Sequence, residues 1–149
     1  TLYGEYIDEA IVLSLLGFLA IVVALGGVLR SPRRLLGVML PLVMAVMVVV
    51  AGLHVGGVRL HLLHLVGVLL TVAVGSNYAL FFDRISLGET LDDETLLSIG
   101  VASATTAIGF GVLAFSSVPV LQAIGVTVGP GAVLALVLSA AFAARKPAP

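Results

Sequence analysis

The sequence contains no cysteine, and only 10% of its 149 residues are charged. The lack of cysteine excludes disulfides, thiolate zinc sites, iron–sulfur clusters and a cysteine nucleophile. Seven Lys and Arg residues stand against eight Asp and Glu residues, so no basic excess attracts nucleic acid. In place of charge, 60% of the residues are hydrophobic and the mean hydropathy is +1.26, whereas soluble domains have about 45–50% apolar residues. A water-soluble monomer is therefore excluded, and the solvent of this chain is lipid.

Five long apolar stretches divide the chain. A membrane-spanning helix needs about 20 mostly apolar residues, and in lipid only helices and closed barrels satisfy their own backbone groups. The stretches lack the alternation of barrel strands, which favours helices. The predicted spans are residues 10–29, 35–55, 60–82, 95–115 and 118–144. The sequence thus predicts an all-α membrane protein, in which residues 1–149 form one five-helix transmembrane bundle.

Basic residues are distributed unequally between the two sides of these spans. One side has only Arg59, and the other has six basic residues: Arg30, Arg33, Arg34, Arg84, Arg145 and Lys146. Because cytoplasmic loops carry an excess of Lys and Arg, we expect the N-terminus outside and the C-terminus in the cytoplasm. The acidic residues from Asp83 to Glu94 are expected to cap the fourth helix, whose dipole favours negative charge at its start.

The start of the chain has an acidic segment, residues 1–9, and no initial Met. A secretory signal begins with a basic stretch, so we do not expect this segment to be one. An odd number of spans with the N-terminus outside also needs something upstream to deliver it across the membrane. We therefore expect the sequence to be a piece of a longer chain.

Polar residues inside the third and fourth spans are the first candidates for a functional role. Asn77 is either a functional intramembrane amide or a hydrogen-bonding contact between helices. Thr105 and Thr106 lie near the middle of the fourth span, where each hydroxyl bonds either to its own helix or to a neighbouring one. Both alternatives are compatible with the residue types.

Small residues are frequent in the last two spans. In the fourth they recur at every fourth position over residues 103–111, which lets neighbouring backbones approach and predicts a central helix. A bulky change at Gly109 is then expected to lower the folding yield. In the fifth, Pro130 lies between Gly129 and Gly131 and predicts a kink, which either lines a transport pathway or serves packing alone.

Three histidines lie near the ends of the second and third spans. His61 and His64 share a helix face, and together with His54 they would supply three imidazoles to a metal. No carboxylate is evident to support such a site, so interfacial histidines are the expected interpretation and no metal or other cofactor is predicted. The sequence contains no nucleophile–base arrangement or phosphate-binding loop, and no enzyme activity is expected.

Two motifs resemble the resistance-nodulation-division (RND) superfamily, in its MMPL-like branch of lipid exporters. They are Gly-Ser-Asn-Tyr-Ala-Leu-Phe-Phe at residues 75–82 and Thr-Thr-Ala-Ile-Gly-Phe at residues 105–110. The resemblance extends over essentially the whole chain and corresponds to spans eight to twelve, half of an RND-type membrane domain. It implies a proton-driven exporter of lipid-like or other hydrophobic cargo in the bacterial cytoplasmic (inner) membrane, with the N-terminal half of the same transporter as a partner.

The chain departs from this family at one position. MMPL-like members carry an Asp-Tyr pair for proton relay where this sequence has Asn77-Tyr78, and an amide cannot exchange a proton in this way. By resemblance, Asn77, Tyr78, Thr105 and Thr106 form the relay region, with titrating carboxylates supplied by the other half. Two alternatives stay open: a non-transporting lipid- or sterol-sensing bundle or scaffold, and a small membrane protein that forms homo-oligomers.

Overall fold

A computed structural model describes residues 2–145 and consists of five helices over that range. They are α1 Leu2–Leu29, α2 Pro32–Val55, α3 Leu62–Ser86, α4 Asp93–Leu113 and α5 Pro119–Ala144. The shortest has 21 residues, which at about 1.5 Å per residue matches the roughly 30 Å of the hydrocarbon core. All five are apolar enough to cross a membrane. The predicted all-α architecture is confirmed, and the chain is a multi-pass integral membrane protein with five candidate spans. Thr1 and Lys146, used in the topology prediction, lie outside the described residues.

Two helix boundaries differ from the predicted ones by four residues or more. α1 begins at Leu2 rather than at residue 10, so that Glu5 lies in its first turn, where the helix dipole favours negative charge. α3 continues to Ser86 rather than ending at residue 82. Asp83 therefore belongs to α3, and the expectation that it caps α4 is wrong.

The turn between α1 and α2 is fixed by local backbone chemistry. Arg30 has a positive φ of 51°, which ends α1 in the left-handed conformation common after a helix. Pro32 then occupies the start of α2, where its missing N–H is not needed. The turn thus reverses the chain within two residues and places Arg33 and Arg34 in the first turn of α2.

α5 lies at the centre of the bundle and contacts α2, α3 and α4. α4, predicted to be central, contacts only α5 among the described helices, and Ser103 is its single fully buried residue. That prediction is wrong, because the small residues that are covered by neighbours lie mainly on α5. A Cβ added at Gly109 would meet no atom within 4 Å. The structure therefore gives no reason for a bulky residue there to lower the folding yield.

Glycines bring α5 into near contact with the backbone of α4. A Cβ built at Gly125 would lie 2.6 Å from the carbonyl carbon of Leu113 and 2.7 Å from the carbonyl oxygen of Phe110. Backbone atoms cannot move aside as the end of a flexible side chain does. Any side chain at residue 125 would therefore push the α4–α5 hairpin apart.

We expect Gly125→Ala to lower the free energy of unfolding by about 1–3 kcal/mol, the usual cost of overpacking. Gly109→Ala is the matched control, because it adds the same methyl to open space and removes the cost of glycine inside a helix, about 0.5–1 kcal/mol. Denaturant unfolding in detergent micelles, followed by circular dichroism, measures both. Equal destabilisation by the two substitutions would contradict the assigned packing.

Candidate functional site

An ion pair joins α2 and α3 at one end of the bundle, which we call the ion-pair end. Nη2 and Nε of Arg34 both donate to Oδ2 of Asp83, at 2.6 and 3.1 Å. The Asp83 side chain is 2% exposed, whereas that of Arg34 is 35% exposed and reaches the surface. The guanidinium therefore compensates a carboxylate that the fold removes from solvent, an arrangement whose loss is costly.

The sequence does not predict this pair, because the expected end of the third span at residue 82 leaves Asp83 in a loop. A signal for it existed: Arg34 and Asp83 lie at the ends of consecutive predicted spans on the same side of the membrane. A carboxylate adjoining the apolar run Phe81-Phe82 is costly at a membrane boundary unless a cation is close. Topology and charge together could have suggested the contact, although not its geometry.

Asn77 lines a cavity of about 570 Å³ beside the ion pair, between the end of α1 and the end of α3. The cavity also carries charged side chains of both signs, namely Arg34, Asp83, Arg84 and Glu89. The Asn77 side chain is exposed rather than buried against a neighbouring helix. The interpretation of Asn77 as a hydrogen-bonding contact between helices therefore has no support from its position, and the functional one stays a prediction.

The four residues of the predicted relay region are not gathered in one place. Tyr78 belongs to the core and is 8% exposed, whereas Asn77 is exposed. Thr105 and Thr106 donate to the carbonyl oxygens of Val101 and Ala102, at 2.8 and 2.9 Å. Within residues 2–145, α3 and α4 make no direct contact. Each threonine hydroxyl thus bonds to its own helix rather than to a neighbouring one, and a shared role of all four residues stays a prediction.

The segment Gly129-Pro130-Gly131 lies inside α5, which continues on both sides of it. Gly129 and Gly131 are buried while Pro130 is exposed. A Cβ at Gly131 would lie 2.6 Å from Oγ1 of Thr71 on α3. Of the two alternatives for this motif, close packing is the one that these contacts favour, and the pathway alternative stays a prediction.

The histidines form a pair at the opposite end of the bundle, the histidine end. The rings of His61 and His64 are 4.3 Å apart between centroids and edge-to-face. The backbone N–H of His61 donates to Nδ1 of His64 at 3.4 Å. Nε2 of His64 is buried and has no hydrogen-bond partner. Over residues 2–145, no group of three or more His, Asp or Glu side chains is arranged to hold a metal ion.

A long apolar groove runs from the histidine end between α1, α2 and α3; we call it the α1–α3 groove. It consists of two adjoining cavities of about 310 and 510 Å³, and Ile11, Leu65 and Val68 line both. The deeper part reaches Phe18 on α1 and Leu42 on α2, and the other part reaches His61 and His64. The groove therefore combines an apolar channel with polar atoms at one end, which suits an amphiphilic molecule.

Comparison with protein-family models, with curated proteins and with solved structures finds no match for this chain.

We expect Arg34→Met to destabilise the protein more than Asp83→Asn. Arg34→Met leaves a buried carboxylate without its guanidinium, whereas Asp83→Asn leaves a partly exposed arginine that can reach water. A loss of roughly 1–3 kcal/mol is expected for Arg34→Met, less than for a fully buried pair. The control is Arg33→Met, which removes a neighbouring exposed charge. Unfolding in detergent measures all three, and equal losses for the two arginine variants would contradict the role of the pair.

Proposed function

We propose that this chain is the C-terminal membrane bundle of an RND/MMPL-like proton-driven exporter of lipid-like or other hydrophobic molecules. The observation that carries the proposal is the α1–α3 groove, an apolar channel on the lipid-facing side of the bundle with hydrogen-bonding atoms at one end. The motif resemblance at residues 75–82 and 105–110 supports the same class. In this proposal the membrane is the bacterial cytoplasmic membrane, with the ion-pair end at the cytoplasm and the histidine end outside.

The size and lining of the groove suit an acyl chain. Each of its two cavities is within the range of about 300–1,000 Å³ that is usual for small-molecule sites. The deeper cavity is lined by aliphatic residues together with Phe18, Met47 and Ser14. A lipid tail could enter from the bilayer without crossing a polar barrier, because Ile11, Leu15 and Met47 are themselves exposed at the surface.

The histidine end supplies the polar contact for a headgroup. Because Nδ1 of His64 accepts a backbone hydrogen bond, the proton of the neutral ring is on Nε2. That N–H has no partner in the protein, and His64 lines the cavity. A buried donor without an acceptor is costly, so a carboxylate, ester or phosphate oxygen of a bound amphiphile would relieve that cost.

Proton coupling would depend on the N-terminal half. Asn77 cannot titrate, and Asp83, the carboxylate of α3, is engaged by Arg34 near the end of the helix. In the exporter, the titrating carboxylates would therefore lie on the partner half, with Asn77 facing the polar cavity as a hydrogen-bonding residue. The same observation favours the second candidate function, a lipid- or sterol-sensing bundle or scaffold that binds lipid without transporting it.

Val68→Trp should block lipid binding in the α1–α3 groove. An indole ring at residue 68 would fill the region that the two cavities share, whereas Val66→Trp places the same ring on an exposed face of α3 outside the groove. The measurement is photocrosslinking of a diazirine-labelled fatty acid to the chain in nanodiscs, with the modified residues mapped by mass spectrometry. Crosslinks at Leu65 and Leu69 are expected in the unmodified chain and in Val66→Trp. Labelling spread evenly over all five helices would exclude a lipid site here.

Transport by the complete protein distinguishes the two candidate functions. In proteoliposomes with a proton gradient, the exporter should move a fluorescent lipid, and Asn77→Ala should reduce the rate partially while Asn77→Asp is tolerated. Tyr78→Phe is a useful comparison, because Tyr78 is in the core rather than in the polar cavity. Lipid binding without gradient-dependent movement would favour the sensing bundle.

A further inference from the structure

Besides the cavity that Asn77 lines, a very small cavity adjoins Asp83 of the ion pair, where α2, α3 and α5 meet. Its volume is about 10 Å³, close to the minimum that holds one water molecule. Residues from all three helices line it, among them Gly37 and Pro41 from α2, Asp83 from α3 and Ser139 from α5. Two phenylalanines, Phe82 and Phe142, complete most of the remaining wall.

The hydroxyl of Ser139 is the first polar group that needs a partner there. Seven other hydroxyls in the helices donate to a carbonyl of their own helix, for example Thr71 to Gly67 at 2.9 Å and Thr127 to Ala123 at 2.7 Å. Ser139 is 3% exposed, and its Oγ has no partner at all. Ser139 lines this small cavity instead.

The carbonyl group of Gly37 is the second polar group at this cavity that needs a hydrogen-bond partner. In a regular helix it would accept from the N–H of residue 41, but residue 41 is proline and has no N–H. Inside a membrane, the carbonyl that a proline leaves without a donor is satisfied by a neighbouring helix, by a hydroxyl or by ordered water. Gly37 and Pro41 both line the same cavity as Ser139.

We propose that this cavity is a binding site for one structural water molecule, which links α2, α3 and α5. The water accepts the hydrogen bond of the Ser139 hydroxyl and donates to the Gly37 carbonyl and to the Asp83 carboxylate, which can accept several hydrogen bonds at once. These are three hydrogen bonds, the usual number for a buried water. The inference is independent of the transport proposal.

A neutral ligand fits the charge of the site better than a cation does. Arg34 already balances the charge of Asp83, so a bound sodium ion would leave one net positive charge inside the bundle. A buried charge without a counter-charge is costly in a membrane. The oxygen atoms around the cavity therefore select water, which brings no charge.

Radiolytic hydroxyl labelling, read by mass spectrometry, tests the proposal on the complete chain in nanodiscs. Bound water converts to hydroxyl radicals in the X-ray beam and labels side chains beside it. Phe142 should be labelled above Phe18, which lines the apolar groove. Ser139→Val removes the hydroxyl and fills the cavity, so the labelling of Phe142 should fall to the level of Phe18.

Two internal controls separate bound water from bulk solvent. Phe81 lines the open polar cavity, so its labelling should be unchanged in Ser139→Val. Ser76→Val is the matched substitution, because the Ser76 hydroxyl already donates to the Ala73 carbonyl at 2.7 Å, and it should leave Phe142 labelled. Phe142 labelling that equals that of Phe18 in the unmodified chain, or that persists in Ser139→Val, overturns the proposal.

A second variant covers the case in which Ser139→Val does not fold. Pro41→Ala restores an N–H donor to the Gly37 carbonyl, removes one reason for the water and should also reduce the labelling of Phe142. Unchanged labelling in Pro41→Ala counts against the site.

Thermal unfolding in sodium chloride and in choline chloride distinguishes water from a cation. The two salts should give the same midpoint, and a sodium-specific rise of the midpoint would overturn water in favour of a cation.

Discussion

The close parallel packing of α3 against α5 is the constraint on which the rest of the bundle depends. Lipid gives helices no hydrophobic reason to associate, so contact depends on how closely their surfaces fit. A Cβ at Gly67 would lie 2.7 Å from Cβ of Thr127, one at Gly131 would lie 2.6 Å from Oγ1 of Thr71, and one at Gly75 would lie 2.9 Å from Cβ of Ala135. Each contact is four residues further along both helices. The two threonines bond to their own helices, so they fill the space beside the glycines without exposing a polar atom.

This central pair determines where the other helices can lie. α5 is covered by α3 on one side and by α2 and α4 on others, while α1 reaches only α2 and α3. α1 is thus a peripheral helix, and its contact near Gly17 involves the flexible end of Leu69. A loosely packed outer helix leaves space beside it, and this space is the α1–α3 groove. The groove therefore follows from the arrangement of the bundle as much as from the residues that line it.

The sequence was sufficient for the number, type and approximate limits of the helices, because long apolar runs have one stable form in lipid. It did not identify the central helix. The small residues of α4 and α5 look equally suited to packing, and only tertiary contact distinguishes the open Gly109 from the crowded Gly125. The Arg34–Asp83 pair was not predicted for a related reason. A charged residue at the end of an apolar run looks like the first residue of a loop, and whether it is buried depends on a partner 49 residues away.

The polar groups of the bundle are arranged by depth, and this limits what the described part of the chain can do alone. Buried groups that depend on another helix or lack a partner lie at the two ends, around Asp83 and Ser139 at one and His64 at the other. Nearer the middle of the helices, hydroxyls such as those of Thr71, Thr105 and Thr127 are satisfied within their own helix. Within residues 2–145 the carboxylates lie towards helix ends or in loops: Glu5, Asp8 and Glu9 towards the start of α1, Asp83 near the end of α3, and Glu89, Asp92, Asp93 and Glu94 before or in the first turn of α4. In the proposed exporter, coupling would therefore depend on acidic groups from the other half, whereas the proposed binding of an amphiphile in the α1–α3 groove uses only residues of the described part of the chain.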